Sequence, residues 1–185
     1  MSNTLDNNPP NHSSESELSV EVIADDPLPA SCSVGRIRVA VQQAAAHRGY
    51  RQGEIGVRVT NDVAIREINR RHLDHDYETD VISFAYLAEP PRIEGELVVS
   101  IETASRFADQ LSWSLEYELL LYVVHGTLHI TEMDDQTPRE RQEMRVAERE
   151  VMRKLGVDVA VQFGPDTSGS DSFRTRAREK GGSTK

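Results

Sequence analysis

A chain of 185 residues, 37% of them hydrophobic, can bury roughly two-thirds of its unfolded surface in one modest core and leaves little beyond one domain and its tails. Its formal charge of -10 excludes a generic nucleic-acid binder, because phosphate contacts are made chiefly by Lys and Arg, and no run approaches the roughly 20 apolar residues that cross a bilayer. The single cysteine, Cys32, excludes an internal disulfide and points to a reducing compartment. Without the basic, apolar, small-residue order of a signal peptide, the expected location is cytoplasmic, with no membrane association.

The acidity is uneven. Residues 1–33 hold six acidic and no basic side chains, residues 164–185 hold five basic and three acidic, and the stretch between has 16 basic against 22 acidic. RNA binding therefore requires a local basic groove. Residues 1–16, rich in Asn, Ser and Pro, read as a disordered leader, 17–163 as the folded domain, and 164–185 as a disordered tail.

Leu18, Val20 and Val22 alternate with polar neighbours as in a half-buried strand. Ile37, Val41, Ala44 and Ala45 then fall at helical spacing, and Gly49 marks the stop. Ile55, Val57 and Val59 alternate again, and Thr60-Asn61-Asp62 offers a turn and cap for a helix bearing Ile65 and Ile68. The segment Arg70-Arg71-His72-Leu73-Asp74-His75-Asp76 follows, either a solvated connection or a loop facing a substrate. Residues 81–86 and 97–101 read as strands joined by a Pro-containing loop over 89–94. A short helix over 102–111 should turn Ala104, Phe107, Ala108 and Leu111 inward, with Trp113 anchoring the entrance of the next helix.

That next stretch, LEYELLLYVVHGTLHITEMDD over 115–135, organises the rest. Ser114 is a candidate N-cap, Glu116 and Glu118 suit a helix N-terminus, and 119–124 is an unbroken apolar run, so a buried helix carries His125 and His129. Four residues apart, their rings share one face about 6 Å apart and can converge on one ion. Asp135 is either a third ligand folding back from a turn or a solvated turn residue. Two imidazoles and a carboxylate suit a divalent metal with an open fourth position, where a water's pKa falls to about 7. A zinc peptidase of the H-E-x-x-H kind needs Glu after the first His, where this chain has Gly126. Downstream, Thr137-Pro138-Arg139-Glu140 is a helix start with a capping box, and Met144, Ala147, Val151 and Leu155 make a core stripe.

The run from His125 to Asp135 resembles the H-G-x-L-H-L-x-G-Y-D-H signature of the YbeY family, bacterial single-strand endoribonucleases that mature ribosomal RNA. Thr79-Asp80-Val81-Ile82-Ser83-Phe84 and Gly95-Glu96-Leu97-Val98-Val99-Ser100 resemble two strands of the same family, in the same order and at matching spacing. Three departures stand out: Asp135 replaces a His ligand, Glu132 replaces a helix-ending Gly, and Leu73 stands where a functional Arg is usual. Leucine cannot hold a phosphate, which leaves Arg70, Arg71 or His75 as candidate substrate contacts.

What the resemblance implies is an α/β (α+β) domain, a small mixed four-stranded sheet packed with helices around the buried His helix. It also implies one divalent ion, zinc, on His125, His129 and Asp135, whose water attacks RNA phosphodiesters; with Leu73 in the place of the usual Arg, Arg70 or Arg71 is the candidate cation. The expected partners are a small-subunit rRNA precursor and the small ribosomal subunit or its proteins, and no DNA. A second reading keeps the metal but not catalysis, giving a non-catalytic ribosome assembly factor; a zinc peptidase is the third.

Overall fold

The alternating segments become a mixed sheet. In this computed structural model, which describes residues 17–158 and 175–177, strand β1 (Ser19–Ala24) is followed by helix α1 (Val34–His47), and then by β2 (Gln52–Thr60) and α2 (Asp62–Leu73). Strands β3 (Val81–Glu89) and β4 (Arg92–Ser100) lead into α3 (Ile101–Leu111), α4 (Leu115–Ile130) and α5 (Pro138–Lys154). The four expected strands lie in the order β1-β2-β4-β3, β1, β2 and β4 parallel and β3 antiparallel to β4. A three-residue strand, β5 (Thr175–Ala177), adds to the β3 edge. The leader over 1–16, and the tail over 164–185 apart from β5, lie outside the described residues.

Helices cover the sheet unequally. On one face α1, α4 and α5 close the main core over Ile55, Val57, Val59, Val81, Leu97 and Val99. On the other, α2 seals a smaller cluster in which Ile65 meets Ile82 and Val98, with Ile68, Leu73 and Phe84 at its margin. Covered on both sides, β4 runs buried from Leu97 to Ser100 without alternation. Helix α4 sits at the centre, with every residue from Glu118 to Ile130 buried. The expected α/β (α+β) domain around a buried His helix is the architecture observed.

Two local expectations need correction. The loop expected over 89–94 is a tight turn at Pro90 and Pro91 joining β3 directly to β4; the prolines occupy the turn, flanked by the pairing of Glu89 with Arg92. Phe107 and Leu111 are 40% and 38% exposed, because Thr103, Ala104 and Ala108 form the buried face of α3. Ser114 is the N-cap of α4 by backbone geometry but makes no side-chain cap bond. The capping box of α5 is present in both directions, Thr137 Oγ1 accepting from Glu140 N and Glu140 Oε2 from Thr137 N.

Cys32 packs against the main core, and burial raises its thiol pKa, which keeps it protonated and unreactive. Among the described residues, no helix is long and apolar enough to cross a membrane.

Candidate metal centre

Helix α4 is placed by a close approach to the sheet. The reason is Gly126. A Cβ there would lie 2.8 Å from Leu97 Cδ2, 2.8 Å from Val81 Cγ2 and 3.0 Å from Ser83 Oγ, and Ser83 Oγ donates to the Gly126 carbonyl at 3.1 Å. The helix backbone rests on β3 and β4 at this point, and its neighbour His125 faces α5. Position 126 is thus part of the sheet contact, with no room for a peptidase's glutamate.

The end of α4 carries the chain back to the histidines. Glu132 N–H bonds the His129 carbonyl and Met133 N–H the Leu128 carbonyl, the paired bonds of a Schellman turn. Glu132 takes a left-handed φ of 67°, so the turn forms even without glycine. Met133 packs on the core, and its carbonyl accepts from His129 Nδ1 at 2.9 Å. A non-glycine residue at this φ costs on the order of 1–2 kcal/mol, partly offset in glycine by its greater unfolded-state entropy of about 0.4–1 kcal/mol. Glu132→Gly is therefore expected to raise stability by about 0.5–1 kcal/mol, read as a higher urea midpoint at unchanged slope; a lowered midpoint contradicts the strain.

His125 is fixed from the opposite side. Its Nδ1 donates to Glu148 Oε1 on α5 at 2.5 Å, and both side chains are 1% exposed. A carboxylate and a carbonyl are acceptors, so both Nδ1 atoms hold their protons and both Nε2 atoms present lone pairs. Those two Nε2 atoms lie 2.8 Å apart, with Asp135 Oδ2 at 3.8 Å from one and Oδ1 at 3.8 Å from the other.

Three electron-pair donors aimed at one point repel each other unless a cation lies between them. A proton shared by the two nitrogens would relieve that pair but leave Asp135 beyond hydrogen-bond reach of either. Metal–ligand bonds of about 2.0–2.2 Å place tetrahedral donors roughly 3.4 Å apart; the two nitrogens are closer than that, and each lies somewhat farther from its own nearer oxygen of Asp135. With one donor atom from each of His125, His129 and Asp135, the three fall within 4.8 Å of one another, so this cluster could hold a metal ion. Glu148 behind His125 completes the carboxylate–histidine arrangement that raises ligand basicity.

Glu148 escaped the sequence reading. It lies on the face of α5 that also buries Met144, Ala147, Val151 and Met152, and a carboxylate within an apolar stripe was the available signal. The other candidates are held by local partners of their own. Arg70 makes a bidentate pair with Glu67 and Arg71 bonds the same carboxylate at 2.7 Å, while His75 bonds Tyr77. Leu73 is held in the smaller apolar cluster.

With this geometry in view, the similarities can be placed. Residues 32–156 match the family model described as endoribonuclease YbeY. The chain is 48% identical over 143 residues to the endoribonuclease YbeY of Rhodopirellula baltica, covering 75% of this chain and 74% of that protein. It is 38% identical over 117 residues to the endoribonuclease YbeY of Phocaeicola vulgatus, covering 63% and 84%. In fold it resembles the solution structure of TM1509 from Thermotoga maritima, with a TM-score of 0.52 at 16% identity over 82% of this chain and 99% of that one. A buried helix with its histidines intact, three ordered sequence motifs, a family model matched over residues 32–156 and a relative 48% identical over three-quarters of the chain agree: this chain belongs to the endoribonuclease YbeY family.

Proposed function

We propose that the protein is a metal-dependent endoribonuclease that cleaves single-stranded RNA during ribosomal RNA maturation in the cytoplasm. The observation that carries the reading is the convergence of His125 Nε2, His129 Nε2 and an Asp135 carboxylate oxygen, backed by the buried Glu148. When bound, a zinc ion would supply Lewis acidity and a water acidic enough to ionise near neutral pH.

The protein's own residues set up that chemistry. Glu148 keeps the proton on His125 Nδ1 and the Met133 carbonyl keeps it on His129 Nδ1, so both Nε2 atoms remain donors to an ion. Asp135, closing the set from the turn, adds a negative charge that a histidine would not, which makes the site harder. Cleaving a phosphodiester gathers charge on the non-bridging oxygens. With Leu73 packed at the margin of the apolar cluster, Arg70 or Arg71 would meet that charge after leaving Glu67, and His75 is the third candidate contact. A small-subunit rRNA precursor is the proposed substrate, and the small ribosomal subunit the proposed partner.

Leu73 also supports a second reading, a non-catalytic metal-binding assembly factor. One experiment separates them. Zinc-loaded protein is incubated with labelled single-stranded RNA of a small-subunit precursor, beside protein stripped with chelator and protein reloaded afterwards. Cleavage lost on stripping and regained on reloading supports the nuclease. Cleavage that survives stripping removes the metal from the mechanism. No cleavage with any of a panel of divalent ions, from folded and metal-bound protein, selects the assembly factor.

A further inference from the structure

His125 and His129 ride on α4, whose helical backbone fixes where their rings begin. Asp135 has no such support. It leaves from the connection over 131–137 between α4 and α5, so its carboxylate is brought back to the histidines by a stretch of chain that belongs to neither helix. An aspartate side chain is short, and wherever that backbone goes the carboxylate follows.

The backbone of Asp135 is held on both sides. Its N–H donates to Asp134 Oδ1 at 2.9 Å. Its carbonyl accepts from Arg141 Nη1 at 3.1 Å, and the same nitrogen donates to the Gln136 carbonyl at 2.7 Å. Arg141 is available for this because of how α5 starts. Thr137 caps the helix and Pro138 opens it, and the Arg141 N–H bonds the Thr137 carbonyl at 2.9 Å, which leaves the guanidinium one turn into the helix beside the incoming chain.

The placement is not that of an ordinary surface arginine. Arg139, on the same turn, pairs with Glu143 along the exposed helix, whereas Arg141 is bonded to two peptide carbonyls. A cation this near a helix N-terminus gains nothing from the helix dipole, and bonds from a charged donor are roughly twice as strong as neutral ones. The carbonyls are therefore what favours it.

Arg141 and Glu148 lie seven residues apart on α5, two turns and about 10 Å along one face. Glu148 bonds His125, and Arg141 bonds the backbone of Asp135. One helix thus backs a donor on α4 and the donor on the connection that follows it.

We propose that Arg141 is a positioning residue of the metal centre: by tying the carbonyls of Asp135 and Gln136 it fixes the connection so that the Asp135 carboxylate is in place before an ion arrives. In this role it touches neither ion nor substrate. The role presupposes the three-donor site proposed above.

Zinc affinity of the full chain, measured by competition with a chromophoric chelator, tests it. At about 0.5 M salt the repulsion between an exposed guanidinium and the ion is screened, so the measurement reports placement. Arg141→Ala is expected to bind zinc about tenfold more weakly, the low end for losing a group behind a metal ligand. Arg141→Lys should stay within about threefold of wild type, because an ammonium also carries several donors for the two carbonyls. Asp135→Ala should lose more, and adding Arg141→Ala to it should cost nothing further, as for a residue that acts only through another. With cobalt in place of zinc, the visible absorption of Arg141→Ala should shift towards that of Asp135→Ala, while Arg141→Lys matches wild type. Arg141→Ala within about twofold of wild type, or a penalty that persists in full when residue 135 is already alanine, overturns the proposal. If Asp135→Ala is weakened and Arg141→Ala is not, the site stands and the positioning role alone falls. If wild type binds no zinc, or binds it no better than Asp135→Ala, the three-donor site is wrong and the role of Arg141 falls with it.

Discussion

On the proposed mechanism His129→Ala is expected to abolish RNA cleavage, with turnover down on the order of a thousandfold or more, because it removes one of the three residues that would hold the water-activating ion. Asp135→Ala should fall in the same class, since the carboxylate faces both Nε2 atoms at 3.8 Å. Glu148→Gln should be milder, roughly 10–100-fold in metal affinity or rate, the usual cost of losing a group that orients a metal-binding histidine. Metal content by mass spectrometry and cleavage at saturating zinc distinguish these effects. If Glu148→Gln loses affinity but recovers full rate when saturated, it acts by orienting His125; if His129→Ala binds zinc and cleaves like wild type, the three-donor site is wrong.

Gly126→Val is expected to cost about 3 kcal/mol or more, as overpacking a closed contact does. The first added carbon already meets Leu97 and Val81 side-chain atoms at 2.8 Å, and both partners belong to the main core. Replacing glycine within a helix normally gains stability, at most about 1 kcal/mol even for alanine, so the clash wins. For a chain of this size the melting temperature should fall by about 6–12 °C, checked by thermal denaturation followed by circular dichroism. A melting temperature unchanged from wild type would show that α4 does not depend on this close approach.

Much of the site was legible because its parts are close in sequence. The apolar run, the two histidines on one helical face and the cap at Thr137 follow local rules, and the structure keeps each of them. Glu132 obeys no local rule. Its left-handed turn is imposed by the requirement that Leu128 and Met133 pack while Asp135 returns to the histidines. Glu148 looked like one more charge on a polar helix, and its burial depends on α5 docking against α4, a contact that periodicity does not specify. Phe107 was misread for the converse reason: spacing made it inward, but the smaller Thr103, Ala104 and Ala108 fit the narrow space beside α4. The aromatic stack of His75 and Tyr77 was hidden because it lies in a connection without helix or strand periodicity.

The enclosure of α4 bears on how the protein can respond to a substrate. Neither sliding nor rotation of that helix is possible without disrupting α1, α3, α5 and the sheet together, so the spacing of its histidines is inherited from folding and not assembled on encounter. Adjustment must come from pieces with less to lose, such as exposed side chains that trade one weak ion pair for another. The enzyme's architecture thus separates a stiff interior that keeps its geometry from a pliant rim that does the adapting.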